Sequence, residues 1–184
     1  FNDPQNKRLE AAKAYLTASS PGDYVAVVDF DSSAVLKSGL QRIPEGVEAL
    51  KAAIDTIDSS GSTNIRDGIT VACNELIANG TATKRGAILL TDGEHNVGPF
   101  GNPQQCFADK GWPIYAYGFG SADAALLQTV ASDTGGEYTN INQVSNLICE
   151  FQRVRAKIAG AQPGPCTSTQ VGPGKTVSIP ASVS

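Results

Sequence analysis

Three short, nearly uninterrupted apolar runs constrain this chain more than anything else in it: Tyr24–Phe30 (YVAVVDF), Gly86–Leu90 (GAILL) and Pro113–Phe119 (PIYAYGF). Each has the length of a strand, and none alternates apolar with polar residues as a strand with one wet face does. Strands covered on both faces are the rule in parallel sheets. Between and around these runs lie segments with apolar residues at helical spacing. Residues 7–18 carry Leu9, Ala12 and Leu16, and Pro21-Gly22 ends that helix. Residues 45–57 carry Val47, Leu50, Ile54 and Ile57, and residues 65–78 carry Ile69, Cys73 and Leu76. Further helices are predicted over 103–110, 123–133 and 143–159, with short strands at 34–37 and 137–139. Strands alternating with helices predict an α/β fold: a doubly wound, mostly parallel sheet with helices on both faces.

The 184 residues suffice for one domain and a remainder. The body is predicted to occupy residues 1–160. Residues 161–174 hold Pro163, Pro165 and Pro173 among several glycines and read as a linker. Residues 175–184 (KTVSIPASVS) read as the first strand of a further β domain or as a tail. A net charge of −4 and a pI near 4.9 exclude nucleic acid or an anionic membrane as the main partner. No apolar run approaches the roughly 18 residues of a membrane span. The chain has no methionine and opens on Phe1. It therefore reads as a mature, cleaved or partial chain, and the absence of a signal peptide carries no information about location. The four cysteines, Cys73, Cys106, Cys149 and Cys166, form no Cys-x-x-Cys pair. Two disulfides in an oxidising compartment are expected, with three pairings open.

In open parallel sheets ligands bind beyond the carboxyl ends of the strands. The loops Asp29–Ser33, Ser59–Asn64 and Thr91–Asn96 occupy that position. Here the chain resembles a known family. Arg8-Leu-Glu-Ala-Ala-Lys13 and Gly22-Asp-Tyr-Val-Ala-Val-Val-Asp-Phe-Asp-Ser-Ser33 resemble the first helix and second strand of von Willebrand factor A-type (vWA) domains. Ser60-Gly-Ser-Thr-Asn-Ile65 resembles their threonine-bearing loop, Ile88-Leu-Leu-Thr-Asp-Gly93 their fourth strand with its terminal aspartate, and Ile114–Gly120 the next strand with its glycine exit. These pieces come in order over about residues 5–158.

The resemblance implies a metal-ion-dependent adhesion site. Thr63 and Asp92 would be metal ligands to Mg²⁺ (or Mn²⁺ or Ca²⁺), a hard cation that takes oxygen donors, keeps waters and leaves room for a partner's carboxylate. Read without it, Thr63 is a helix N-cap and Asp92 an Asp-Gly turn. The family's third element, an Asp-x-Ser-x-Ser run after the first strand, is not among these residues. Asn2-Asp-Pro4 resembles the residues just after that run. A sheet without its central strand strands two rows of backbone donors and acceptors. A separate segment, second chain or proteolytic partner is therefore expected to supply that strand. Asp29-Phe-Asp-Ser-Ser33 sits after the second strand, a structural position in the family.

Asn64, Glu94, His95 and Asn96 are expected partner contacts, with Phe100 on the same loop; His95 reads as a solvated loop residue rather than a ligand. Trp112 reads as packing, and Asn79-Gly-Thr81 as a glycosylation sequon. Cys73 and Cys106 lie on helices flanking neighbouring strands, which pairs them and leaves Cys149 to Cys166. The chain reads as a non-enzymatic, secreted or cell-surface module binding a protein or extracellular-matrix ligand that offers a carboxylate. No Ser/His/Asp or Cys/His set and no Walker-type loop is present. Two alternatives remain: a haloacid-dehalogenase-like phosphatase using Asp29 as nucleophile and Asp31 as acid/base, and a vWA module binding without metal.

Overall fold

A computed structural model describes residues 7–58, 61–141, 147–164, 170–171 and 175–176. Its first elements are α1 (Lys7–Ala18), β1 (Tyr24–Phe30), β2 (Ala34–Arg42), α2 (Val47–Asp55) and α3 (Ile65–Asn79). Next come β3 (Ala87–Thr91), α4 (Gln105–Ala108), β4 (Ile114–Gly118), α5 (Ala124–Asp133), β5 (Tyr138–Asn140) and α6 (Leu147–Ile158). A last pair, β6 (Gln170–Val171) and β7 (Lys175–Thr176), is antiparallel. The rest of the expected linker beyond residue 164, and residues 177–184, lie outside the described residues.

β3, β4 and β5 form a parallel sheet in that order, with Ala87 opposite Ile114 and Ala116 opposite Tyr138. β4 is buried along its whole length. Its residues alternate between two cores. Ile114 and Ala116 join Ile65, Ile69 and Cys73 of α3 and Leu127 and Val130 of α5, while Tyr115 and Tyr117 meet Phe151 and Val154 of α6. Each buried Ile, Leu, Val or Phe among these contributes about 1.5–3 kcal/mol. The expected α/β sheet with helices on both faces is what the chain forms.

β1 departs from expectation. It pairs antiparallel with β2, from Tyr24 opposite Arg42 to Phe30 opposite Ala34, and is only partly buried. The connection Asp31–Ser33 is a tight turn, and a turn of that length makes a hairpin, since a parallel crossover needs a dozen residues or more. β2 is also longer than the predicted 34–37 stretch. Lys37, Ser38 and Gln41 hide it in sequence, and pairing with β1 decides its length. Conversely, α4 covers only four residues of the predicted 103–110 helix.

A third core joins Leu16 of α1 to Leu50 and Ile54 of α2. α6 closes onto α1 through a T-shaped Tyr15–Phe151 contact at 6.1 Å, and its Arg155 pairs with Asp23, just ahead of β1, at 2.7 Å. Glu75, 8 % exposed, ties α3 to β2 by accepting the Leu40 N–H at 2.8 Å. The expected Cys73–Cys106 disulfide is present. Cys149 is also disulfide-bonded, while its expected partner Cys166 lies outside the described residues. Trp112 packs edge-on against Phe107, with the Arg85 guanidinium 4.8 Å from its ring centroid. Asn79 is exposed at the end of α3, its amide donating to Glu75. Among the described residues no helix is long and apolar enough to cross a membrane.

Candidate metal site at the strand ends

The carboxyl ends of β1 and β3 meet at one point. The Asn64 N–H donates to the Asp31 carbonyl at 2.7 Å, bringing the loop before α3 onto the end of β1. On its other side the same loop meets the turn after β3. A Cβ placed on Gly93 would stand 2.8 Å from Thr63 Oγ1, so the absence of a side chain at Gly93 is what lets Thr63 approach Asp92's turn. Two further bonds lace the loops together. Thr63 N–H donates to Asn96 Oδ1 at 2.8 Å, and Asn96 N–H donates to the Thr63 carbonyl at 3.1 Å. Asp92 is held through its carbonyl, which accepts from Ser121 Oγ at 3.1 Å.

Thr63 is not the cap of α3. Asn64 takes that role, its side chain accepting from the Asp67 N–H at 3.2 Å. Its amide also donates to Asp67 and to the Ser32 carbonyl. Asn64 is 1 % exposed, so the structure places it behind Thr63 instead of on the surface where a partner contact was expected. Glu94 and Asn96 are exposed. His95 is not the solvated residue the sequence suggested. Both ring nitrogens are buried without a hydrogen-bond partner, and the ring lies edge-on to Phe100 at 5.2 Å.

Two contributors were missed from sequence. Arg66 anchors the far side of the loop by donating to the Pro99 carbonyl at 3.0 Å, and Ser121 holds Asp92. Only the hydroxyl directly after the glycine exit of β4 hinted at Ser121; nothing marked Arg66. The Asp29–Ser33 segment is taken up structurally. Asp29 pairs with Lys37 at 3.2 Å, Asp31 accepts the Ser33 N–H at 3.0 Å, and Ser32 Oγ accepts from the Ser62 N–H at 3.2 Å.

A threonine hydroxyl and a carboxylate are hard oxygen donors, and their chemistry suits Mg²⁺. Two such groups leave most of an octahedron to water or to other donors. Among the described residues no three His, Cys, Asp or Glu side chains gather into a metal-holding group.

Comparison with known proteins fits this architecture. The sequence matches the von Willebrand factor type A domain family over residues 8–153, and the chain belongs to that family. It is similar to calcium-activated chloride channel regulator 1 of Equus caballus, 32% identical over 140 residues, covering 72% of this chain and 15% of that protein. The Mus musculus protein of the same name is 29% identical over 152 residues, covering 79% and 16%. The chain thus spans about 15% of the length of these curated relatives. Among solved structures, a von Willebrand factor type A protein from Catenulispora acidiphila superposes with a TM-score of 0.76 at 22% identity, covering 86% of this chain and 40% of that one. Proximal thread matrix protein 1 of the mussel byssus, with a zinc-occupied MIDAS motif, superposes with a TM-score of 0.67 at 23% identity, covering 83% and 40%. At these identities the structural likeness establishes the fold.

Proposed function

We propose that this chain is a non-enzymatic, metal-dependent binding module, secreted or at the cell surface. In this reading Thr63 and Asp92 hold a Mg²⁺-type cation whose open position takes a carboxylate from a protein or matrix ligand. The observation that carries it is the pair of loops laced at Thr63 and Asn96, which sets Thr63 against the Asp92–Gly93 turn. A zinc-occupied site of this type in the mussel protein supports use of a divalent metal. A Cys73–Cys106 disulfide supports an oxidising compartment. Glu94 and Asn96 then rim the site as ligand contacts, with His95 on the same loop. Asn64 serves the site by holding Thr63 in place.

A ligand that binds only the folded state raises stability by about 2.7 kcal/mol at a hundred times its Kd. Thermal unfolding of the intact chain with increasing Mg²⁺ should therefore show a saturable rise in Tm. That rise should disappear in Asp92→Ala and weaken in Thr63→Ala. An identical response in wild type and Asp92→Ala would place the metal elsewhere. The second reading is binding without metal. Partner capture that survives a chelator and Asp92→Ala alike would select it.

A further inference from the structure

The last turn of α3 carries the one Asn-Gly step in the sequence, Asn79-Gly80. Such a step is chemically labile. Glycine has no side chain to shield its amide nitrogen, which can approach the asparagine side-chain carbonyl and close a succinimide ring. Three features favour closure here. Asn79 is exposed and ends the helix, so fraying of the terminus is enough to bring the two groups together. The Gly80 N–H donates to the Leu76 carbonyl at 3.2 Å, and that carbonyl also accepts from Arg85 Nη1 at 2.9 Å. Releasing Gly80 therefore leaves the Leu76 acceptor satisfied. Packing also dictates glycine at this position. A Cβ on Gly80 would stand 2.5 Å from the Leu76 oxygen and 3.1 Å from the Arg85 guanidinium.

The consequence lies with Glu75, one turn back. Asn79 Nδ2 donates to Glu75 Oε2 at 2.8 Å, while Glu75 Oε1 accepts the Leu40 N–H at 2.8 Å. Glu75 is buried, and its carboxylate joins α3 to β2 with a neutral amide as its second partner. If that amide becomes a carboxylate, two acceptors face each other at hydrogen-bond distance with no proton between them. Two carboxylates so placed cannot both stay ionised; one takes up a proton or they part. Parting draws Glu75 away from the Leu40 N–H. The Arg85 guanidinium is close by, but it already donates to the Leu76 and Ala82 carbonyls.

We propose that Asn79 is a site of spontaneous deamidation, and that its conversion loosens α3 from β2. The Gly80 nitrogen bonds to Asn79 Cγ and gives its proton to solvent. The Cγ–Nδ2 bond breaks, and the nitrogen takes a proton from solvent and leaves as ammonia. Water then opens the ring at either carbonyl, leaving aspartate or isoaspartate. One water is consumed, one ammonia is released, and nothing is oxidised or reduced. The isoaspartate product also lengthens the main chain where Gly80 fits against Leu76. A glycan on Asn79 Nδ2 would block the reaction, so the chain is tested unglycosylated. The proposal is independent of the metal reading.

The intact chain is aged at mildly alkaline pH, and the converted fraction is separated by its extra negative charge. Peptide mapping by mass spectrometry reads each asparagine, and hydrogen exchange reads the Leu40 amide. Asn79 should convert ahead of the exposed Asn74, Asn96 and Asn102, to a mixture of aspartate and isoaspartate. Exchange at Leu40 should quicken in the converted fraction by roughly tenfold or more. Asn79→Gln should arrest conversion, and Asn79→Asp should show the faster exchange in fresh protein. Adding Glu75→Gln to Asn79→Asp should restore slow exchange. The new glutamine can accept the Leu40 N–H and donate to the new carboxylate, the same two bonds with the roles exchanged. Should Asn79→Asp fail to fold, the aged wild-type chain still gives the reading at Leu40. The proposal is overturned if Asn79 stays intact or converts no faster than the other asparagines. It is equally overturned if Leu40 exchanges at an unchanged rate after conversion, or if the double variant exchanges as fast as Asn79→Asp.

Discussion

Gly93 sets how closely the two site loops can approach. Its missing side chain is the space that Thr63 Oγ1 occupies, and no L-residue fits without displacing that hydroxyl. Gly93→Ala should therefore weaken Mg²⁺-linked stabilisation by tenfold or more in apparent affinity. The metal-free chain should lose only about 1 kcal/mol, as for an ordinary loop change. Parallel Mg²⁺ titrations of wild type and variant by thermal unfolding check this; unchanged apparent affinity would count against Thr63 as a ligand. Asn64→Ala removes the α3 cap and should cost about 1–2 kcal/mol in denaturant unfolding. At this scale the sequence was partly legible. Thr63 and Asp92 carry a family pattern, but Asn64 gave no sign of being buried, since capping and surface asparagines share one composition. The Thr63–Asn96 lacing joins residues 33 apart, through the Asn96 side-chain oxygen in one bond and backbone groups alone in the other. No side-chain pattern announces it.

At the scale of elements, legibility tracked burial. β4 is buried on both faces and reads plainly as an uninterrupted apolar run. β2, an edge strand with Val35 and Leu36 exposed, shows no such pattern and takes its length from its partner. α1 and α3 began and ended within a residue of expectation, because apolar periodicity and the Pro21-Gly22 stop act locally. The Cys73–Cys106 disulfide secures α3 to α4 across a separation of 33 residues. Loop-closure entropy for a link of that span gives about 3–4 kcal/mol. The double variant Cys73→Ser/Cys106→Ser should lose that much in urea unfolding. Packing of α3 on β1 offers a second test. A Cβ at Gly68 would come within 2.9–3.2 Å of the Phe30 side chain, so Gly68→Ala should cost about 1–3 kcal/mol through overpacking.

For the whole molecule the tyrosines between α1, β4 and α6 set an alkaline limit. Burial pushes the Tyr15 phenol up to about 12, with Asp23 adding to the effect and Arg155 opposing it. Burial also drives Tyr117 upward, with Glu150 contributing. Raised values mean that the folded state holds these protons after the unfolded chain has released them. Their contribution is complete below the ordinary tyrosine value near 10 and is lost as pH rises from there toward 12. Stability should thus fall steeply above pH 10, and absorbance titration should show Tyr15 and Tyr117 ionising only late or together with unfolding. Tyr15→Phe should soften that alkaline loss; an unaltered profile would assign it to other groups.

The seam between α1 and α6 also has a consequence in time. Asp23 and Arg155 are 132 residues apart in the chain. At a synthesis rate of about 5–20 residues per second, on the order of ten seconds separate their appearance. Throughout that interval α1 holds Tyr15 ready for a Phe151 that has not yet been made. The Leu16 side of α1 can pack on α2 as soon as that helix emerges, whereas its Tyr15 side waits for α6 and is among the last surfaces of the domain to be covered.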